Sequence, residues 1–284
     1  MNIIKEPNRI IIGNPEFFSA HDTLSCGQIF RFCEESESRW RVHSGNRIAY
    51  IREESGRAII DCDDVDFFYD FFDFNTDYSE KFIRISEKYS KALPILKTAA
   101  EYGKGIRILN NNFNETVISF IISANNNIKR IQKIIGRLCA DLGDSLGDGI
   151  YGFPSAQRLA AQNENYYAAA GCGYRSRYLP VAAAQLADGS FYEGVKDLSA
   201  QAARKRLLTI LGVGGKVADC ILLFGLRRGD VFPVDTWIHK IYNKYYDTGL
   251  TSRDEIRRFF TDTYGADSGL VQQYLFNYIR NNKE

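Results

Sequence analysis

No stretch of this 284-residue chain approaches the roughly 18 uninterrupted apolar residues of a membrane-spanning helix, so none of it is expected to cross a bilayer. The first residues also lack a basic start followed by an apolar run and a small-residue cleavage site, which points to an intracellular protein. Six cysteines (Cys26, Cys33, Cys62, Cys139, Cys172 and Cys220) include no CxxC pair, and only His21, His43 and His239 could join them. Structural zinc and an iron–sulfur cluster are therefore not expected. There is no internal repeat or low-complexity tract. What remains, 45% hydrophobic and 25% charged residues, is the composition of a globular chain long enough for two domains.

A net charge of +1 conceals a segregation. Residues 34–80 carry thirteen acids against five bases, a balance of −8, so the rest of the chain holds +9. Lys196 to Arg228 has Lys196, Arg204, Lys205, Arg206, Lys216, Arg227 and Arg228 against Asp197 and Asp219, and Lys129, Arg130, Lys133 and Arg137 form a second basic stretch. Local basic faces of this kind suit a phosphate backbone even when the whole chain is nearly neutral.

The fold class read from the pattern is α+β. Short alternating segments predict strands over Asn8 to Ile12, Gln28 to Cys33, Arg39 to His43, Arg47 to Arg52 and Arg57 to Asp61, with turns at Ser44-Gly45 and Ser55-Gly56. From Val65 the pattern turns helical, with Phe67, Phe68, Phe71 and Phe72 as a core stripe and the interleaved aspartates 61, 63, 64, 66, 70 and 73 as caps and a solvated face. Gly103-Lys104-Gly105 reads as a linker, giving an antiparallel-sheet domain over 1–105 and a mainly helical domain over 106–284. Helices are expected over Glu115 to Ala124 and Ile128 to Ala140, separated by Asn125-Asn126-Asn127, and in a succession ending with Gly269 to Arg280.

The most informative segment is Leu211-Gly212-Val213-Gly214-Gly215-Lys216-Val217-Ala218-Asp219-Cys220. Ser199 to Leu211 reads as one helix, Gly212 and Gly214 as the source of the unusual backbone angles of a tight turn, and Val217 onward as a second helix. A P-loop would need glycine where Ile210 stands and a hydroxyl residue where Val217 stands, and a dinucleotide fingerprint starting at Gly212 would also need glycine at Val217. A helix-hairpin-helix remains, whose free amides grip a phosphate without reading a base.

Five blocks in register, Gly27-Gln28-Ile29-Phe30-Arg31, Ser123-Ala124-Asn125-Asn126-Asn127-Ile128, Gly173-Tyr174-Arg175-Ser176-Arg177-Tyr178, the hairpin segment through Cys220, and Pro233-Val234-Asp235, resemble the 8-oxoguanine DNA glycosylases, the lyase-active members of the helix-hairpin-helix superfamily. The resemblance runs from about Gly27 to Phe276 and implies a bifunctional enzyme of base excision repair, a monomer without a redox cofactor, acting on double-stranded DNA that contains 8-oxoguanine and nucleoid-associated if bacterial. By the same resemblance Lys216 attacks the sugar C1′ and forms a Schiff base, Asp235 stabilises developing positive charge, and elimination nicks the strand 3′ to the site. The carbonyl of Gly27 takes the N7 hydrogen that distinguishes the lesion, Cys220 and Phe276 sandwich the extruded base, and Gln272 meets its Watson–Crick edge. Asn125 fills the gap, Tyr174 wedges beside it, and Arg130 and Arg175 contact the widowed cytosine; Gly212 and Gly214 hold the backbone.

Two positions depart from the family: Trp237 where a histidine is common, and Leu211 where a proline is. Hairpin carbonyls near Leu208, Ile210 and Val213 could hold a cation, but backbone ligands leave no sequence signature and no metal is assigned. Rival readings are a glycosylase of the same fold for alkylated or other oxidised bases, and a noncatalytic DNA-binding module.

Overall fold

The computed structural model describes residues 1–91, 93–246 and 249–282; positions 283 and 284, which close the second expected domain, lie outside them. Six strands, β1 (Asn2–Glu6), β2 (Arg9–Gly13), β3 (Phe32–Ser36), β4 (Arg39–Ser44), β5 (Arg47–Glu54) and β6 (Arg57–Cys62), form one antiparallel sheet in the order β1-β2-β6-β5-β4-β3. The β4–β5 and β5–β6 connections are two-residue turns, and they place Gly45 at φ 58° and Gly56 at φ 77°, where glycine costs no Cβ clash. Alternation does the rest: Ile10 and Ile12, Trp40 and Val42, and Ala49 and Ile51 point inward onto Phe68, Phe71 and Phe72 of the expected aromatic stripe. This agrees with a small sheet followed by a mainly helical chain.

Three local expectations are corrected. Strand β1 was not expected because, on an edge with one face in water, it has little alternation to show. Strand β3 begins at Phe32 rather than Gln28. Gly27 at φ 87° interrupts the extended chain, and the Gln28 side chain takes over its hydrogen bonding, donating to Thr23 O and Arg107 O at 2.8 Å each and accepting from Leu109 N at 2.9 Å. Gly103-Lys104-Gly105, expected as a linker, is a tight crossing: a Cβ on Gly105 would lie 2.5 Å from Ser19 Cβ, and one on Gly103 2.9 Å from Tyr274 Cδ1.

The two cores divide elsewhere. Residues 10–74, with Leu109, fill the sheet core, while Tyr78, Phe82, Ile85, Leu96 and Ile106 already belong to the helical core, which also takes Cys26 and Phe30 from the segment between β2 and β3. The boundary is thus interwoven, and the segment carrying Gly27 is held against the helical core. Asp70 and Asp73, expected on a solvated face, instead pair with Arg227 at 2.7 and 3.1 Å and so tie the two parts together.

A second tie is more deeply buried. Arg31, in the segment before β3, meets Glu115 at 3.2 Å on the Phe113–Ser123 helix, their side chains 7% and 1% exposed. Gly45 N also donates to Glu115 at 2.7 Å. Burial pushes the Glu115 carboxyl up, opposed by Arg31 and that amide. Arg31→Met would leave an uncompensated buried carboxylate and should destabilise the fold by about 3–5 kcal/mol. Urea unfolding checks this, and the Arg31→Met/Glu115→Met double variant should recover most of the loss.

Candidate active site

Ser199 caps the Ala200–Leu207 helix by accepting from Ala202 N at 3.3 Å, and the chain then turns through residues 208–210. Gly212 adopts φ 91°, and a Cβ there would lie 3.0 Å from Tyr178. Gly214 does not share the unusual angles expected of it: φ −91° and ψ 177° are open to any residue, and a Cβ would meet nothing within 4 Å. Glycine is dispensable to the protein at 214, so its benefit has to lie in what approaches the backbone from outside. Gly212→Ala should therefore cost roughly 1–3 kcal/mol of stability. Gly214→Ala should leave the melting temperature unchanged and weaken binding to duplex DNA. Melting curves and a duplex-binding titration separate the two glycines.

The second helix, Gly215–Gly225, starts two residues before Val217, so Lys216 sits in its first turn with its N–H free of an intrahelical acceptor. Arg204 locks the hairpin, reaching Asp219 at 2.8 Å and Asp254 at 2.7 Å. Burial pushes the Asp219 carboxyl up to about 6 against the pull of Arg204. Much of the positive charge expected to face DNA along Lys196 to Arg228 is consumed in the same way. Arg227 pairs with Asp70 and Asp73, Lys196 with Glu193 at 2.5 Å, and Arg228 donates to Leu198 O at 2.8 Å. The second basic stretch keeps Lys129, Arg130 and Lys133 exposed on the Ile128–Leu142 helix, whereas Arg137 turns to Ala169 O at 2.7 Å.

Lys216 is half-buried with its Nζ 5.2 Å from the centre of the Phe120 ring, and Cys220 lies one turn along the same helix. Burial pushes the Cys220 thiol up to about 11, against Lys216, while the charges of Asp219 and Asp235 push it further the same way. A thiol held neutral is a packing surface and not a nucleophile. Asp235 caps the Thr236–Tyr245 helix: its Oδ1 accepts from Trp237 N at 3.0 Å and Ile238 N at 2.9 Å. Both bonds fall on one oxygen, so Oδ2 keeps its lone pairs. Trp237 is half-buried and supports Lys240 over its ring at 5.1 Å.

Gly27 and Phe276 meet: a Cβ on Gly27 would sit 3.4 Å from Phe276 Cε1. Phe276 and Gln272 share a face of the Ser268–Asn281 helix, which packs on the Gly215–Gly225 helix where Gly269 faces Leu223. Gln272 is buried, and its Oε1 accepts from Gln273 Nε2 at 2.7 Å. Elements distant in sequence thus meet: the Phe276 ring of the last helix stands against Gly27 of the segment before the sheet is completed, and the Lys216 amine stands over the Phe120 ring of another helix.

Asn125, Arg130, Tyr174 and Arg175 form a second group. Asn126 and Asn127 act as caps, donating to Ile122 O at 3.1 Å and accepting from Arg130 N at 3.0 Å, whereas Asn125 stands exposed at φ 50°. Tyr174, 52% exposed, donates to Ala124 O at 3.2 Å. Arg175 is corrected: only 3% exposed, it spends its guanidinium on Ala124 O, Asn125 O and Cys172 O. Here it shapes the turn that presents Asn125. Arg130 remains exposed, with Nη2 on Gly171 O at 3.1 Å. Phe120 and the Arg204–Asp219 pair were missed from sequence; an aromatic in an apolar helix carries no local sign of the amine above it.

Comparison with known proteins follows the same outline. Residues 10–117 match the family model described as the 8-oxoguanine DNA glycosylase N-terminal domain, and residues 118–264 match the HhH-GPD superfamily of base excision DNA repair proteins. N-glycosylase/DNA lyase OGG1 of Arabidopsis thaliana is 34% identical over 203 residues, covering 66% of this chain and 56% of that protein. The N-glycosylase/DNA lyase of Saccharomyces cerevisiae is 35% identical over 159 residues, covering 50% and 42%. The chain thus spans about half the length of these curated relatives. The crystal structure of Clostridium acetobutylicum 8-oxoguanine glycosylase/lyase, solved with duplex DNA carrying cytosine opposite 8-oxoguanine, superposes with a TM-score of 0.91 at 31% identity over 100% of this chain and 99% of that one.

Proposed function

Because the chain belongs to the 8-oxoguanine DNA glycosylase family of the HhH-GPD superfamily, we propose that it excises 8-oxoguanine from duplex DNA and nicks the strand at the resulting site. The observation that carries this reading is the half-buried Lys216 amine, in the first turn behind the hairpin, 5.2 Å from the centre of the Phe120 ring and one helical turn from Cys220. The Lys216 amine attacks C1′ as the glycosidic bond breaks, and the electron pair of that bond leaves with N9 of the base. The Asp235 carboxylate stabilises the positive charge that accumulates on the sugar. Ring opening leaves an imine between Nζ and C1′. Loss of a C2′ proton then expels the 3′ phosphate oxygen, cutting the strand on the 3′ side.

The lesion differs from guanine by one hydrogen at N7 and one oxygen at C8. The Gly27 carbonyl accepts the N7 hydrogen, and guanine would present a lone pair to it instead, a buried mismatch that rejects strongly. Cys220 and Phe276 enclose the base and Gln272 meets its Watson–Crick edge. Asn125 fills the vacated stack, with Tyr174 beside it, and Arg130 contacts the opposite base; Arg175, with four of its five N–H groups on carbonyls, has the second N–H of Nη1 to offer. Excision should still be faster opposite cytosine, whose acceptors suit a guanidinium. Single-turnover rates opposite each of the four bases test this, equal rates counting against it. Membrane attachment has no support, since no helix among the described residues is long and apolar enough to cross one. The protein acts as an intracellular monomer in this reading.

The test is a labelled duplex with guanine or 8-oxoguanine at one position, resolved with and without hot alkali. Alkali-independent cutting of the 8-oxoguanine strand alone supports the reading. Binding without cutting of either strand would reduce the protein to a passive hairpin module.

A further inference from the structure

Arg280 lies four residues beyond Phe276 and eight beyond Gln272 on the same helix, so all three share a face. Its Nη2 donates to Ser25 O at 2.7 Å, fixing the segment that carries Gly27. The guanidinium lies 5.4 Å from the centre of the Phe276 ring, and Nη1 is 3.8 Å from where a Gly27 Cβ would be. That Nη1 is buried and has no hydrogen-bond partner. Among the described residues no carboxylate pairs with Arg280 either. An unpaired buried guanidinium N–H is costly and calls for an acceptor that the free protein does not supply.

We propose that Arg280 is a specificity-determining residue whose Nη1 donates to O8 of the extruded 8-oxoguanine; this rests on the functional reading above. Spacing along the helix selects O8 over the other exocyclic oxygen. Eight residues span about 12 Å, so the helix face runs from Gln272 at the Watson–Crick edge, across Phe276 on the ring, to Arg280 beyond the imidazole edge. O6 lies at the Gln272 end, and O8 lies at the Arg280 end, next to the N7 hydrogen taken by Gly27. The pair would then read both atoms that distinguish the lesion: the carbonyl accepts from N7–H and the guanidinium donates to C8=O. When the glycosidic bond breaks, the electron pair left on N9 delocalises onto O8, where the same positive charge meets it. Guanine offers hydrogen at C8 and leaves the donor unpaired.

The test compares wild type with Arg280→Met, which keeps an apolar stem but no donor, on two uncleavable duplexes. One carries a 2′-fluorinated 8-oxoguanine nucleoside. The other carries the C-nucleoside of 9-deazaguanine, which keeps an N7–H donor but has hydrogen at C8. Wild type should prefer the first, and the variant, which loses the Ser25 bond on both, should lose about 10- to 100-fold more affinity for the first than for the second. An equal loss on both would reduce Arg280 to a clamp on Ser25, and no loss would remove it altogether; either result overturns the proposal. Cleavage of a preformed abasic site, which needs Lys216 but no base, should be the same in both proteins. If the functional reading itself were wrong, wild type would neither cleave that site nor prefer the 8-oxoguanine duplex.

Discussion

Lys216→Gln is expected to abolish covalent trapping by borohydride on an 8-oxoguanine duplex and to lower strand cutting by about 10⁴-fold or more, the scale of losing a nucleophile that acts as part of a unit. The substitution is chosen to leave everything else in place. Glutamine is a good helix former and nearly matches the lysine stem, and Lys216 makes no ion pair among the described residues whose loss would unfold the hairpin. The lock on the hairpin is the neighbouring Arg204–Asp219–Asp254 set, which the variant keeps. Affinity for a duplex should therefore fall only by the share of one cation, a few-fold at moderate salt. Gel trapping and a binding titration on the same preparation check both halves. Undiminished trapping would move the nucleophile elsewhere, and Cys220, with its thiol held neutral by burial, could not inherit the role.

Asp235→Asn addresses the second large effect, because it separates the capping role of the carboxylate from the catalytic role proposed for it. As a cap, Asp235 uses only Oδ1, on Trp237 N and Ile238 N, and asparagine offers the same acceptor with nearly equal capping preference. Stability should change by no more than about 0.5 kcal/mol. What disappears is the negative charge that, in the proposed mechanism, stabilises the developing charge on the sugar, and base excision should slow by roughly 10²- to 10⁴-fold. Asp235→Ala should show the same slowing and, in addition, lose about 1 kcal/mol of stability with the cap. Thermal melts and single-turnover excision rates distinguish the contributions. A fully active asparagine variant would mean that the carboxylate serves the helix and nothing else.

Both predictions concern residues that were legible in the sequence, and the reason is that their signals are local. A glycine turn followed by an amphipathic run announces the hairpin, and a lysine one position into that run must lie in the first turn whatever the rest of the molecule does. Asp235 before Thr236 announces a cap by the same short-range rule. Turns at Gly45 and Gly56 and the inward face of Phe68, Phe71 and Phe72 follow from backbone angles and periodicity over a few residues.

Residues whose role depends on a distant partner were not legible. Arg107 is fully buried, donating to Phe72 O at 2.8 Å and Thr76 O at 3.0 Å, yet in sequence it is one more cation. Arg227 counted towards a DNA-facing charge until the fold paired it with Asp70 and Asp73, 157 and 154 residues away, and Arg175 is buried with its guanidinium on the carbonyls of Ala124 and Asn125, about 50 residues before it. Gly214 and Gly212 look alike in the chain, but only the fold puts Tyr178 against one and open space beside the other. The sequence by itself determined the chemistry on offer: an amine in a first helical turn, a capping carboxylate, a hairpin for phosphates and a sheet ahead of helices. Tertiary structure alone decided which charges remain free and which glycine, ring and guanidinium stand together, because pairing across more than a hundred residues depends on where whole elements pack and leaves no periodic trace along the chain.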